Sequence, residues 1–268
     1  MIARRSAGAR YPSLMRDYVA AHTVQIALAI LAAGLLFAIL GIISALRASA
    51  KRTKNLREWA FRNGFEYIAG PLPASQLAPI PFFQLSETTS GADAVNIVRG
   101  SRGVYITLFD LEHTSRQRDS TNRLVTSSET TTCALFQFPR KLPRFEFTAI
   151  GAAEPGSIQG KLIGAVVNMA MVAGTHKGTL VPIEDRPGFL LLAFDEPERV
   201  REIFSSPHFF DDKRGFTVRA HDSWLLVSCD PTLYGQGWEQ SKLVAVKNYD
   251  DYIAVAERIY DHFRHSSS

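Results

Sequence analysis

Residues 23–46, TVQIALAILAAGLLFAILGIISAL, form a run of 24 positions without a charge. As a helix the run is about 36 Å long, against a hydrocarbon core of about 30 Å, so it predicts a single transmembrane helix. It is longer than the roughly 7–15 apolar residues of a cleavable signal, and Arg47 separates it from Ala48-Ser49-Ala50, which resembles a cleavage site. An uncleaved signal anchor is therefore expected. Gly34, Ala38, Gly41 and Ala45 share one stripe of this helix, where small side chains allow a second helix to approach closely.

The pattern then changes. Leu56, Trp59 and Ala60 predict a short juxtamembrane helix over 54–63 that stops at Gly64. Four prolines over 70–83 predict an extended connection. Residues 94–99 and 104–112 read as strands joined across Gly100-Ser101-Arg102-Gly103, a hairpin turn. A polar stretch over 114–126 reads as a long loop, in which Arg116, Arg118 and Arg123 are candidates for contact with lipid phosphate or an acidic partner. Strands are expected at 127–138 and 145–150, and an apolar helix at 157–173.

The last third alternates in type. The apolar run Phe189 to Phe194 predicts a buried strand, and Asp195 is placed as the cap of a following helix with Glu198 completing a capping box. Residues 216–220 and 224–229 read as a second hairpin across His221-Asp222-Ser223. Asn248 is expected to cap a helix over 249–264, with Tyr249, Ile253, Ala256, Ile259 or Tyr260, and Phe263 on its buried stripe.

Together these elements predict an α+β protein: an N-terminal transmembrane helix, then a mainly antiparallel β-sheet domain with packed helices. The expected divisions are a basic tail (1–22), the transmembrane helix (23–46), a basic juxtamembrane helix and first strand (47–69), a β-rich sub-domain (70–154) and an α+β sub-domain (155–268).

Charge sharpens the picture. Residues 1–62 hold 10 Lys and Arg against 2 Asp and Glu, while residues 63–268 hold 20 against 24. The basic excess therefore belongs to the flanks of the apolar run, which favours membrane headgroups over nucleic acid as its partner. Arg47, Lys51, Arg52, Lys54, Arg57 and Arg62 outnumber Arg4, Arg5, Arg10 and Arg16, so the large domain is expected on the cytoplasmic side of the cell membrane.

Candidate chemistry is sparse. There is no phosphate-binding glycine loop, HExxH helix or GxSxG elbow, and Cys133 and Cys229 have no metal or redox spacing. No catalytic residue, cofactor or metal ligand is predicted, and the chain is expected not to be an enzyme. Asp110, Glu112 and His113 cluster, yet strand alternation places Asp110 and Glu112 on one face and His113 on the other. Asp110 and Glu112 remain an acidic pair, expected where the strand's core face reaches water. His208 with Asp211 and Asp212 reads as local capping.

Arg57 through Ala60 with Gly64-Phe65-Glu66, Asn96 to Gly100, Leu108-Phe109-Asp110, and Leu142-Pro143 with Phe145 give the chain a diffuse likeness along most of its length. It resembles a loose group of bacterial single-pass membrane-anchored proteins of unknown function. The resemblance implies the same anchor-plus-domain architecture and carries over no functional residue. The functional expectation is an accessory or adaptor subunit that binds a larger membrane complex, a transport complex among them. Two alternatives stand beside it. One is a lipid or small-ligand pocket between Val104, Ile106 and Leu108 and the 158–172 helix. The other is a membrane-tethered hydrolase using Asp110 and Glu112.

Overall fold

A computed structural model describes residues 11–78, 89–118, 124–149, 178–183, 189–205, 215–229 and 243–266. Arg123, the helix expected over 157–173 and the His208 turn lie outside the described residues. The chain separates into two compact units, Met1–Lys54 and Asn55–Ser268.

Helix α1 runs from Tyr11 to Arg62, so the apolar and juxtamembrane stretches form one continuous helix. No proline or glycine interrupts it between Ala45 and Arg62, and nothing there breaks the backbone pattern. One apolar stretch in it is long enough to cross a membrane. Its large side chains from Leu28 to Leu46 are exposed.

The helix stops where a glycine permits it. Gly64 has φ 73°, the Phe65 N–H donates to the Ala60 carbonyl at 2.8 Å, and the Gly64 N–H donates to Phe61 at 3.3 Å. These are the two bonds of a Schellman cap. Its apolar contact is the Trp59–Phe65 ring pair, 5.3 Å between centroids.

The domain is built on one antiparallel sheet. Its strands are β1 (Glu66–Ile68), β2 (Leu72–Pro73), β3 (Thr89–Ser101), β4 (Tyr105–Arg118), β5 (Leu124–Ala149), β6 (Thr179–Leu180), β7 (Phe189–Ala193) and β8 (Phe216–Cys229). The order is β1-β3-β4-β5-β7-β6, with β2 on β3 and β8 on β5. Residues Cys133 to Phe136 pair with both β4 and β8, and Phe145 to Thr148 pair with both β7 and β8. Thus β4 and β7 follow one another along one edge of β5, and β8 occupies the other. Strands from either side of residue 155 share this sheet.

Two predicted loops are strand instead. The polar stretch 114–126 is mostly β4 and β5, paired from Thr114↔Ser128 to Arg118↔Leu124. Its serines and threonines suit a pleated ladder, which needs no apolar alternation when its backbone is paired. Residues 216–229 are one bent strand and not a hairpin. Leu142 pairs with Asp222 and Gln137 with Trp224, so β5 carries extra residues around Pro139 and Pro143 while β8 bends at Asp222, φ 52°. A hairpin and a bulged bend share the same polar signature.

Helix α2 (Pro197–Ile203) is capped at Glu196, φ 43°, without a side-chain bond, so the capping box on Asp195 does not form. Asp195 Oδ1 accepts the Arg144 backbone N–H instead, tying the turn to β5. Helix α3 (Tyr249–Ser266) follows a 3-10 turn that ends at Asn248. Its predicted stripe from Tyr249 to Phe263 is buried.

Both sheet faces carry core. On one, Ile106, Leu108, Phe136, Phe145 and Phe147 pack with the last turns of α1, with α2 and with α3. Aromatic contacts bind these elements, among them Trp59–Tyr249 at 5.4 Å, Phe138–Tyr260 at 4.4 Å and Phe145–Phe263 at 5.2 Å. On the other, Phe109, Leu111, Cys133 and Leu135 pack beneath Ala74, Leu77 and Ala78.

Candidate functional site

Asp110 sits in the centre strand of the β3-β4-β5 array. Its side chain shares the face of Ile106 and Leu108, as alternation requires, but it does not reach water there: Asp110 is 0 % exposed. The expectation of a strand end at the surface is corrected, because β4 continues beyond it to Arg118 and the core continues over it. Glu112 is exposed and His113 is buried on the opposite face.

Two strands supply the partners of Asp110, and a third orients one of them. A bulge in β3 between Val95 and Val98 places Asn96 at φ 51°, a left-handed conformation that asparagine tolerates better than most side chains. Asn96 Nδ2 donates to Asp110 Oδ2 at 2.9 Å, and the Tyr67 hydroxyl of β1 donates to Asn96 Oδ1 at 3.0 Å. These two bonds fix which way the Asn96 amide points. From β5, directly opposite Asp110, the Thr132 hydroxyl donates to Asp110 Oδ1 at 3.0 Å and accepts the Val244 N–H at 3.0 Å. The Tyr252 hydroxyl of α3 donates to the Val227 carbonyl at 2.8 Å and lies 3.3 Å from that of Thr132.

The result is a buried polar chain that joins β1, β3, β4, β5 and the segment leading into α3. Burial of this depth stabilises only where donors and acceptors match. It also silences neighbouring groups. Burial holds the Cys133 thiol well above its ordinary range, opposed by Arg219 and reinforced by Asp110. Burial, then Cys133, Cys229, Tyr249 and Asp110, raises the Tyr252 hydroxyl in the same way.

A second polar contact lies on the other face of the bend. Arg219 and Glu146 are directly paired across β8 and β5, with Nη2 to Oε1 at 3.1 Å and side-chain exposures of 12 % and 2 %. Glu146 is no candidate in the sequence, because alternation puts it on the face opposite the core of Phe145 and Phe147, where a charge reads as exposed.

The remaining candidates are scattered. Arg116 and Arg118 are on β4 and not in a loop. Gly34, Ala38, Gly41 and Ala45 lie on α1, where they are exposed, with nothing within 4 Å of a Cβ at either glycine. Ile106 and Leu108 are fully buried in the core that contains α3, so side chains fill that part of the face proposed for a ligand. Among the described residues, no three of His, Cys, Asp and Glu gather as a metal-ligating group.

Fold and surface together define an α+β protein: a long apolar N-terminal helix followed by an antiparallel sheet with additional helices. No family model and no curated protein matches the chain. Among solved structures, one described as the crystal structure of the mycobacterial trehalose monomycolate transport factor A, TtfA, is similar at a TM-score of 0.49 and 12% identity. The match covers 80% of this chain and 94% of that one.

Proposed function

We propose that this chain is a membrane-anchored accessory subunit, held in the cell membrane by residues 23–46, whose domain binds or stabilises a larger membrane assembly from the cytoplasmic side. One observation carries the reading: the large apolar side chains from Leu28 to Leu46 are exposed along α1. Each such side chain left in water forgoes about 1.5–3 kcal/mol of burial, a loss that lipid or a neighbouring helix removes. The six basic residues from Arg47 to Arg62 support the cytoplasmic placement. An adaptor role, without a reaction of its own, suits a domain whose Asp110 and Glu146 are engaged in internal bonds.

The test uses the full chain at native expression. Alkaline carbonate is expected to leave it in the membrane pellet, and mild-detergent purification after cross-linking is expected to recover a stoichiometric membrane-protein partner. A chain washed off by carbonate removes the anchor. A chain that runs alone under native conditions removes the adaptor role.

A further inference from the structure

We infer that the start of the basic segment after the apolar run is a binding surface for anionic phospholipid headgroups, and this rests on the membrane-anchored reading. Arg47, Lys51, Arg52 and Lys54 fall within eight residues, and no acidic residue lies among them. Arg47, Lys51 and Lys54 are exposed and Arg52 is half-buried, on a helix that continues without a break from the apolar run. At about 1.5 Å of rise per residue, the four lie roughly 1.5, 7.5, 9 and 12 Å beyond Leu46 along the helix. The Debye length at physiological salt is about 8 Å, so all four feel the field of a charged leaflet to different degrees.

The distances set the size of the effect. A cation at an anionic surface strengthens binding roughly fivefold, and this decays over a Debye length. Weighting the four in that way gives a preference for anionic over zwitterionic lipid of at most about twentyfold at physiological salt. At 1 M salt, with a Debye length of about 3 Å, almost only Arg47 contributes and the preference falls to about threefold. Arg57 and Arg62 belong to the domain that follows and are left out of this weighting. The surface is thus confined to the first two turns, although the basic run is twice as long.

The experiment reconstitutes the full chain in phosphatidylcholine vesicles and measures association of spin-labelled phosphatidylglycerol against spin-labelled phosphatidylcholine. The wild type is expected to favour phosphatidylglycerol several-fold, less so at 1 M salt. The R47Q/K51Q/R52Q/K54Q variant is expected to lose most of that preference, and R57Q/R62Q to keep it. Equal association of the two lipids with the wild type, a preference insensitive to salt, or full preference in the quadruple variant would each overturn the inference. Alkaline washing of the same vesicles reads the anchor separately. A chain that stays in the bilayer but ignores lipid charge defeats only this inference, whereas one that washes off defeats the anchored reading as well.

Discussion

Replacing Thr132 with valine tests whether the buried polar chain holds the domain together. The substitution keeps the β-branched shape and removes one hydroxyl, so the strand preference is preserved. Two bonds go with that hydroxyl: its donation to Asp110 Oδ1 and its acceptance of the Val244 N–H. Thr132 is 0 % exposed, so water does not replace them. An orphaned buried N–H costs about 1–3 kcal/mol, and the lost bond to Asp110 adds about 0.5–1.5 kcal/mol. The expected loss is therefore about 2–4 kcal/mol, which for a domain of this size lowers the Tm by about 5–15 °C. Thr132→Ser retains the hydroxyl and gives up one methyl group, for about 1 kcal/mol. Thermal and urea unfolding of the full chain in detergent, followed by tryptophan fluorescence, separates the two, since Trp59 is buried against Phe65. Hydrogen exchange should quicken at Val244 in the valine variant alone. Valine and serine variants of equal stability would show that the hydroxyl is not what ties β5 to the segment before α3.

The buried ion pair gives a non-additive prediction. Arg219→Met takes away the cationic partner of Glu146, leaving it the Thr148 hydroxyl at 3.5 Å, and is expected to cost about 3–5 kcal/mol, while E146L/R219M returns to within about 1 kcal/mol of the wild type; additive losses in the same unfolding assay would refute this. Glu257 gives a pH prediction. Burial raises its carboxyl above the ordinary value of 4.5, with Arg102 opposing and Asp261 reinforcing. The folded state thus holds the proton more tightly than the unfolded chain. Its favourable contribution is present below pH 4.5 and is lost as pH rises through the raised folded value. Glu257→Gln should therefore raise the Tm at pH 7 and leave it unchanged near pH 4; a gain that is the same at both would remove the assignment.

Several elements were legible because their signal is local. The β3–β4 hairpin is legible from Gly100 and Gly103, although the turn is tighter than expected: Gly100 pairs with Ile106 in the ladder and Gly103 takes φ 96°. The stripe of α3 repeats at helical spacing and is buried throughout. The stop of α1 needed only Gly64 and two aromatic neighbours. The failures have a shared cause. A polar run between strands reads as a loop at 114–126 and as a turn at 221–223 when side-chain pattern alone decides the backbone. In both places pairing with β5 decides it. Asp195 shows the same thing at one residue: its local sequence points to the nearest helix, but the Arg144 N–H, 51 positions away in sequence, donates to its carboxyl.

Asp110 shows why a site cannot be read from residue types alone. In the sequence it is an acid followed closely by another acid and a histidine, which is how a reactive cluster begins. What determines its role lies elsewhere: a left-handed residue in β3, a threonine directly opposite in β5, and a tyrosine 43 positions upstream that fixes the asparagine between them. None of these carries a sequence signal of its own, since asparagine, threonine and tyrosine are ordinary in strands and turns. An acid that accepts bonds from two strands at once resists any shift of β4 against its neighbours, because a slip of one residue would carry its carboxyl to the opposite face. The same bonds that would make Asp110 a poor reagent make it a good register pin, and Thr132 passes that constraint on to the segment that leads into α3.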